Sequence, residues 1–153
     1  MQENYLISIK GRQRMDDETG EVELTTFGSY VRRGDSRYIV YKEYTSEDKN
    51  TTRTSILKID GANKVTLMRG GEDSTRLILE RGKRHLCQYD TEFGNMMIGV
   101  FTSRVQSELD DLGGKLEVSY TLDINSSLSS QNEIFITIKE ANNKDVQISA
   151  AGH

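Results

Sequence analysis

The chain has 153 residues and a formal net charge of −4. It is long enough for one ordinary domain but not two, and too acidic for a global attraction to nucleic acid or an anionic membrane. Leu, Ile, Val and Phe supply 36 residues and there is one cysteine, Cys87, so a lean core is expected and an internal disulfide or a multi-cysteine zinc site is excluded.

No apolar run approaches the ~18–20 residues of a membrane helix. Met1-Gln2-Glu3-Asn4 is not the basic start of a signal peptide, so cytoplasmic placement is expected. Proline is absent altogether. Nothing then interrupts the backbone N–H groups that long strand ladders need.

Ten short runs of alternating polarity lie between turn residues, the pattern of an all-β chain. The first is Tyr5–Arg14, with Ile7 and Ile9 on one face. The second is Glu21–Arg33, where Val22 and Leu24 alternate with Glu21, Glu23 and Thr25. Ser36–Ser46 follows, then Arg53–Asp60, Asn63–Arg69, Thr75–Arg81 and Arg84–Phe93. The longer Met96–Asp110, Lys115–Ser126 and Asn132–Ala141 close the series.

The ninth run is the clearest. Leu116, Val118, Tyr120, Leu122 and Ile124 occupy one face, and Glu117, Ser119, Thr121, Asp123 and Asn125 the other. That period of two belongs to a strand with one buried and one wet face. Ile134, Ile136 and Ile138 repeat it in the tenth. Ser103–Leu112 is ambiguous, because Val105, Leu109 and Leu112 also fall at helical spacing. The alternation from Ile98 onward favours strand, with Phe101, Val105 and Leu109 on one face.

Gly34, Gly61, Gly82 and Gly113-Gly114 sit in the joints, where hairpin turns need positive φ. Short joints between consecutive runs imply an antiparallel up-and-down meander. The runs cover about two-thirds of the chain, far above the usual 20–25% strand. Such a content is reasonable only if the sheet closes on itself and hides its edges.

Three stretches carry a resemblance. Leu67-Met68-Arg69-Gly70-Gly71, Tyr89-Asp90-Thr91-Glu92-Phe93-Gly94 and Gly114-Lys115-Leu116-Glu117-Val118-Ser119-Tyr120 are similar to the YwiB-like family, bacterial proteins of uncharacterised function. Thr25-Thr26-Phe27-Gly28-Ser29-Tyr30 fits more loosely. The resemblance implies a lipocalin-like (calycin-like) antiparallel barrel of about eight to ten strands. It implies no activity and no ligand. The chain has no Trp, so the Gly-x-Trp start of secreted lipocalins is missing.

The expected architecture is therefore one all-β barrel over residues 1–153, with 149–153 as a tail. The leading functional expectation is non-enzymatic binding of a small molecule, anionic or amphipathic, in or at the mouth of the barrel. In the seventh run, His85, Cys87, Tyr89, Thr91 and Phe93 share the face that avoids burying Asp90 and Glu92. In the fifth, Val65, Leu67 and Arg69 share a face. An inward Arg69 needs an anion: Glu43, Glu80 or a ligand acid. Ligand contacts are assigned to Arg69, Tyr89, Thr91, Phe93 and Tyr120, with Glu43 as partner of Arg69. A plain internal Arg–Glu pair, or an outward Arg69 with Met68 facing in, leaves no site.

Other chemistry is weaker. His85 and Cys87, about 6.6 Å apart on one strand face, lack the third residue that orients a catalytic base. Asp16-Asp17-Glu18 lacks calcium-loop spacing, and His153 is terminal. No phosphate loop or dinucleotide fingerprint occurs, so no cofactor is expected. Arg76, Arg81, Lys83 and Arg84 against Glu80 make a local +3. This supports the second reading, a filled barrel that meets protein or RNA through the 81–84 tip. The choice between monomer and homodimer stays open.

Overall fold

A computed structural model describes residues 4–44, 52–70, 75–91 and 94–141. Ten strands follow in chain order: β1 (Tyr5–Met15), β2 (Glu18–Arg33), β3 (Ser36–Tyr44), β4 (Thr52–Asp60), β5 (Lys64–Arg69), β6 (Thr75–Glu80), β7 (Arg84–Thr91), β8 (Gly94–Asp110), β9 (Gly113–Ile124) and β10 (Ser127–Glu140). They match the ten alternating runs. β2 starts three residues earlier than its run, and β10 five. The expected tail at 149–153 lies outside the described residues.

All strands belong to one antiparallel sheet, in the order β6-β5-β4-β3-β2-β1-β10-β9-β8-β7. First strand meets last: Ile7 pairs with Ile138 and Ile9 with Ile136. The two sheet ends, β6 and β7, are neighbours in the chain, so the sheet curls into a nearly closed barrel whose seam lies inside a hairpin. Across that seam a sulfur stands in for a ladder carbonyl, because the Ile78 N–H donates to Cys87 Sγ at 3.4 Å. The joint is fastened to β8 instead, where the Gly82 N–H donates to the Thr102 carbonyl at 2.7 Å.

Register stacks the inward residues in rows. Ile39, Leu57, Leu67 and Leu77 form one row, and Ile59, Val65 and Leu79 the next. All seven are buried. Burying each such aliphatic side chain contributes roughly 1.5–3 kcal/mol. The inward face of β7 is the expected one, with Cys87 buried and His85 and Tyr89 on the same side.

One expectation about faces fails. Val105 faces in against Val118, but Phe101 pairs with Thr121 and is exposed. A register shift between Thr102 and Arg104 inserts Ser103 as a bulge. One extra residue reverses parity along the rest of the strand. Ser103–Asp110 is strand, not helix.

One end of the barrel is plugged. Tyr5 meets Tyr30 edge to face, centroids 5.4 Å apart. The Tyr30 hydroxyl donates to the Asp110 carbonyl at 2.7 Å. Arg37 donates to Asp111 at 2.9 Å and to the Tyr30 oxygen at 3.2 Å. The opposite end holds the β1–β2 and β9–β10 joints, and among the described residues it is open.

Candidate functional site

The open end forms because β2 changes partners partway along its length. Residues 18–28 pair with β1, and β3 joins only at Gly28, opposite Tyr41. Glycine is needed there: a Cβ at position 28 would run into the Ile7 side chain and the Val40 carbonyl. Above that point the barrel wall parts. A cavity of about 590 Å³ opens between the β1–β2 hairpin and the upper ends of β3–β5. That volume falls within the range of small-molecule sites.

Two ladder rows carry the polar groups around Arg69 and Tyr120, while Arg12, Glu21, Glu23, Glu43 and Glu133 line the space outside those rows. Gly28, Tyr41, Ser55, Arg69 and Thr75 lie in the first. Gln13, Asn132, Tyr120 and Thr102 lie in the second. Leu57, Leu67, Ile134 and Ile136 supply apolar wall beneath them. Gly11 and Gly20 project no side chain into the space and so leave it open.

Arg69 faces inward, two residues beyond buried Leu67. Its nearest carboxylate among the described residues is Glu43, with Nη2 and Oε1 3.9 Å apart. That distance allows Coulomb attraction but no hydrogen bond. Among the described residues Arg69 Nε and Ser55 Oγ are buried without a well-formed hydrogen bond, although both side chains lie close enough to the Tyr41 hydroxyl to lower its pKa against the effect of burial. A buried donor left unpaired costs about 1–3 kcal/mol, so Arg69 Nε has bonding capacity that the described residues do not use.

The phenols beside it stay protonated. Burial pushes the Tyr41 hydroxyl above its usual range, and the Glu43 carboxylate adds to the effect, while Arg69 opposes it. Burial pushes Tyr120 up to about 12, with Tyr89 and Tyr41 adding and Arg69 opposing. Both therefore remain neutral donors at physiological pH. Asn132 is buried, and its amide donates to Ser130 Oγ at 3.0 Å.

The cavity brings together Arg69, Glu43 and Tyr120. Tyr89 stands close enough to Tyr120 to shift its titration, but it does not line the space. Thr91 ends β7, and its side chain lies outside the described residues, as does Phe93. Tyr41, Asn132 and Ser55 were not anticipated as members of this polar group. Tyr41 was discoverable, since it shares a strand face with Glu43 two residues on. Asn132 was not, because only its pairing with Tyr120 brings it there.

Four of the remaining candidates, Lys83, Arg84, His85 and Cys87, are otherwise engaged. His85 Nε2 lies 2.9 Å from Glu80 Oε1, and the Cys87 thiol accepts the Ile78 amide, so neither serves the other. In the 81–84 tip, Arg84 binds Asp123 at 2.6 Å and Lys83 lies 3.4 Å from Glu80. Among the described residues no group of His, Cys, Asp and Glu could hold a metal ion. Nor is any helix among them long and apolar enough to cross a membrane.

Comparison with known proteins agrees with this architecture. A family model described as a domain of unknown function, DUF1934, matches residues 7–136. The uncharacterized beta-barrel protein YwiB of Bacillus subtilis (strain 168) is 22% identical over 139 residues, covering 90% of this chain and 95% of its own. The crystal structure of the Bacillus subtilis ywiB protein superposes with a TM-score of 0.78 at 20% identity, over 90% of this chain and 92% of that one. At that identity the superposition establishes the fold alone.

Proposed function

The chain belongs to the DUF1934 family, and from that premise we propose that it binds a small molecule with an acidic group and an apolar body at the barrel mouth. A fold shared by many functions does not choose among them, so the reading rests on the site. It is supported chiefly by Arg69, whose buried Nε has no partner among the described residues and which stands on the wall of a 590 Å³ cavity.

In this reading Arg69 takes the acid through its planar fork, the geometry best matched to a carboxylate or phosphate. Tyr41 and Tyr120 donate as neutral phenols, and Tyr89 steadies Tyr120. Glu43 limits the charge the site will accept. The Leu57, Leu67, Ile134 and Ile136 wall takes the apolar body. No covalent step is required.

The test is a thermal-shift panel of medium-chain carboxylates and alkyl phosphates, with native mass spectrometry of protein purified without refolding. A true ligand at about a hundred times its Kd stabilises the fold by about 2.7 kcal/mol. Arg69→Ala is expected to abolish that shift. No shift with any acid, and no co-purified species, would sink the reading.

A further inference from the structure

Resting on the mouth site as read above, we propose that its ligand is an extended peptide: a free C-terminal carboxylate held at Arg69, with a backbone that pairs with the open edge of β2. Residues 18–27 of β2 pair with β1 on one side, and β3 pairs with β2 only from Gly28 onward. Among the described residues the other edge of this stretch has no ladder partner. Every non-proline residue there carries an N–H and a C=O that must be satisfied. An open edge of this kind is a template for one more strand.

The cavity lies along that edge. Five consecutive β2 residues, Gly20–Leu24, line it. That run places the cavity beside the same stretch of β2 whose far edge β3 leaves unpaired. Ten residues of open edge span roughly 33 Å when extended, more than a short peptide needs.

Arg69 lies level with the end of that edge, three strands across on β5, and faces into the cavity. Its ladder row reaches β2 at Gly28, the first residue paired with β3. β2 runs from the mouth at Glu18 down to that row. A peptide entering from the mouth would run parallel to β2 and stop at Arg69. A terminal carboxylate offers two oxygens to the guanidinium fork. Glu43, at 3.9 Å, does not consume that fork. The last side chain would meet Leu57, Leu67 and Ile136, so it should be apolar.

The probe is a library of hexapeptides ending in Leu, Ile, Val or Phe, with free or amidated C-termini, read by fluorescence anisotropy. Free acids are expected to bind at least about tenfold tighter than their amides, since the amide loses the charge-assisted pair. Arg69→Ala should erase that preference, and Arg84→Ala should leave it. A scan of N-methylated peptides, which needs no protein variant, should weaken binding at alternate positions, the period of strand addition. Binding that ignores both amidation and N-methylation would overturn the proposal. Should decanoate stabilise the protein through Arg69 while no peptide binds, strand addition fails and the mouth site stands. Should neither bind, both fail.

Discussion

Arg84 grips Asp123 across an intervening strand: its Nε and Nη2 donate to the two carboxylate oxygens at 3.0 and 2.6 Å, above Gly99 of β8. Gly99 pairs with Asp123 and with Leu86 in the ladder. A Cβ there would drive into both charged groups. Gly99→Ala should therefore lower the melting temperature by about as much as Arg84→Ala does, because the atoms it meets are the mobile ends of the ion pair, which it parts. A double variant no worse than Gly99→Ala alone would show that the two changes act through the same contact; full additivity would refute it.

The same pair sets an acid response. The hydrogen bond from Arg84 is the main cause that holds Asp123 below its ordinary value of 3.8. A carboxylate with a depressed folded pKa stabilises the fold above its unfolded pKa, and that contribution is lost as pH falls through the folded value. Wild type should thus exceed Asp123→Asn in stability above pH about 4. Below that the gap should close, as followed by urea unfolding at a series of acid pH values.

At alkaline pH the sign reverses. Burial raises the phenols of Tyr30 and Tyr41 and takes Tyr120 to about 12. Between 10 and that value the unfolded chain gives up these protons while the folded one keeps them, so stability declines as pH rises. Ultraviolet titration of the seven tyrosines should show a late phenolate component. Tyr120→Phe should shrink it, with Tyr30 and Tyr41 left to contribute, and an unchanged late component would contradict the assignment.

The plugged end depends on one hydroxyl. Tyr30→Phe keeps the ring against Tyr5 but leaves the Asp110 carbonyl and an Arg37 donor without their partner. The expected cost is about 1–2 kcal/mol by denaturant unfolding. A loss under about 0.3 kcal/mol would mean that water replaces the hydroxyl freely.

At the seam, Cys87→Ala should cost about 1–3 kcal/mol, since it strands the part-buried Ile78 amide and opens a small cavity. The native thiol is 4% exposed, so a thiol reagent should label it at the rate of opening and not at the rate of a free thiol. Immediate labelling would show that the β6–β7 seam breathes far more than its contacts imply.

Period-two patterning was legible wherever a strand stayed regular. Leu116, Val118 and Tyr120 face in as their alternation requires, and so do Ile136 and Ile138. The alternation through Val65 and Leu67 allows an inward Arg69 but leaves an outward one open, and charge alone offers Glu43 and Glu80 alike as its partner; strand register is what puts Glu43 3.9 Å away. Phe101 was misplaced because a bulge at Ser103 leaves no mark in composition. Parity is a running count, and one extra residue resets it.

Local chemistry, then, settled the strands, the glycine turns and the need for closure, because side-chain alternation and positive φ act within a few residues. Where closure fails is a different matter. The seam beside Cys87, the late arrival of β3 at Gly28 and the meeting of Tyr41, Tyr120 and Arg69 all depend on register between segments far apart in the chain. Such pairings are chosen by the whole barrel's packing, so only the folded molecule could disclose the opening that they leave.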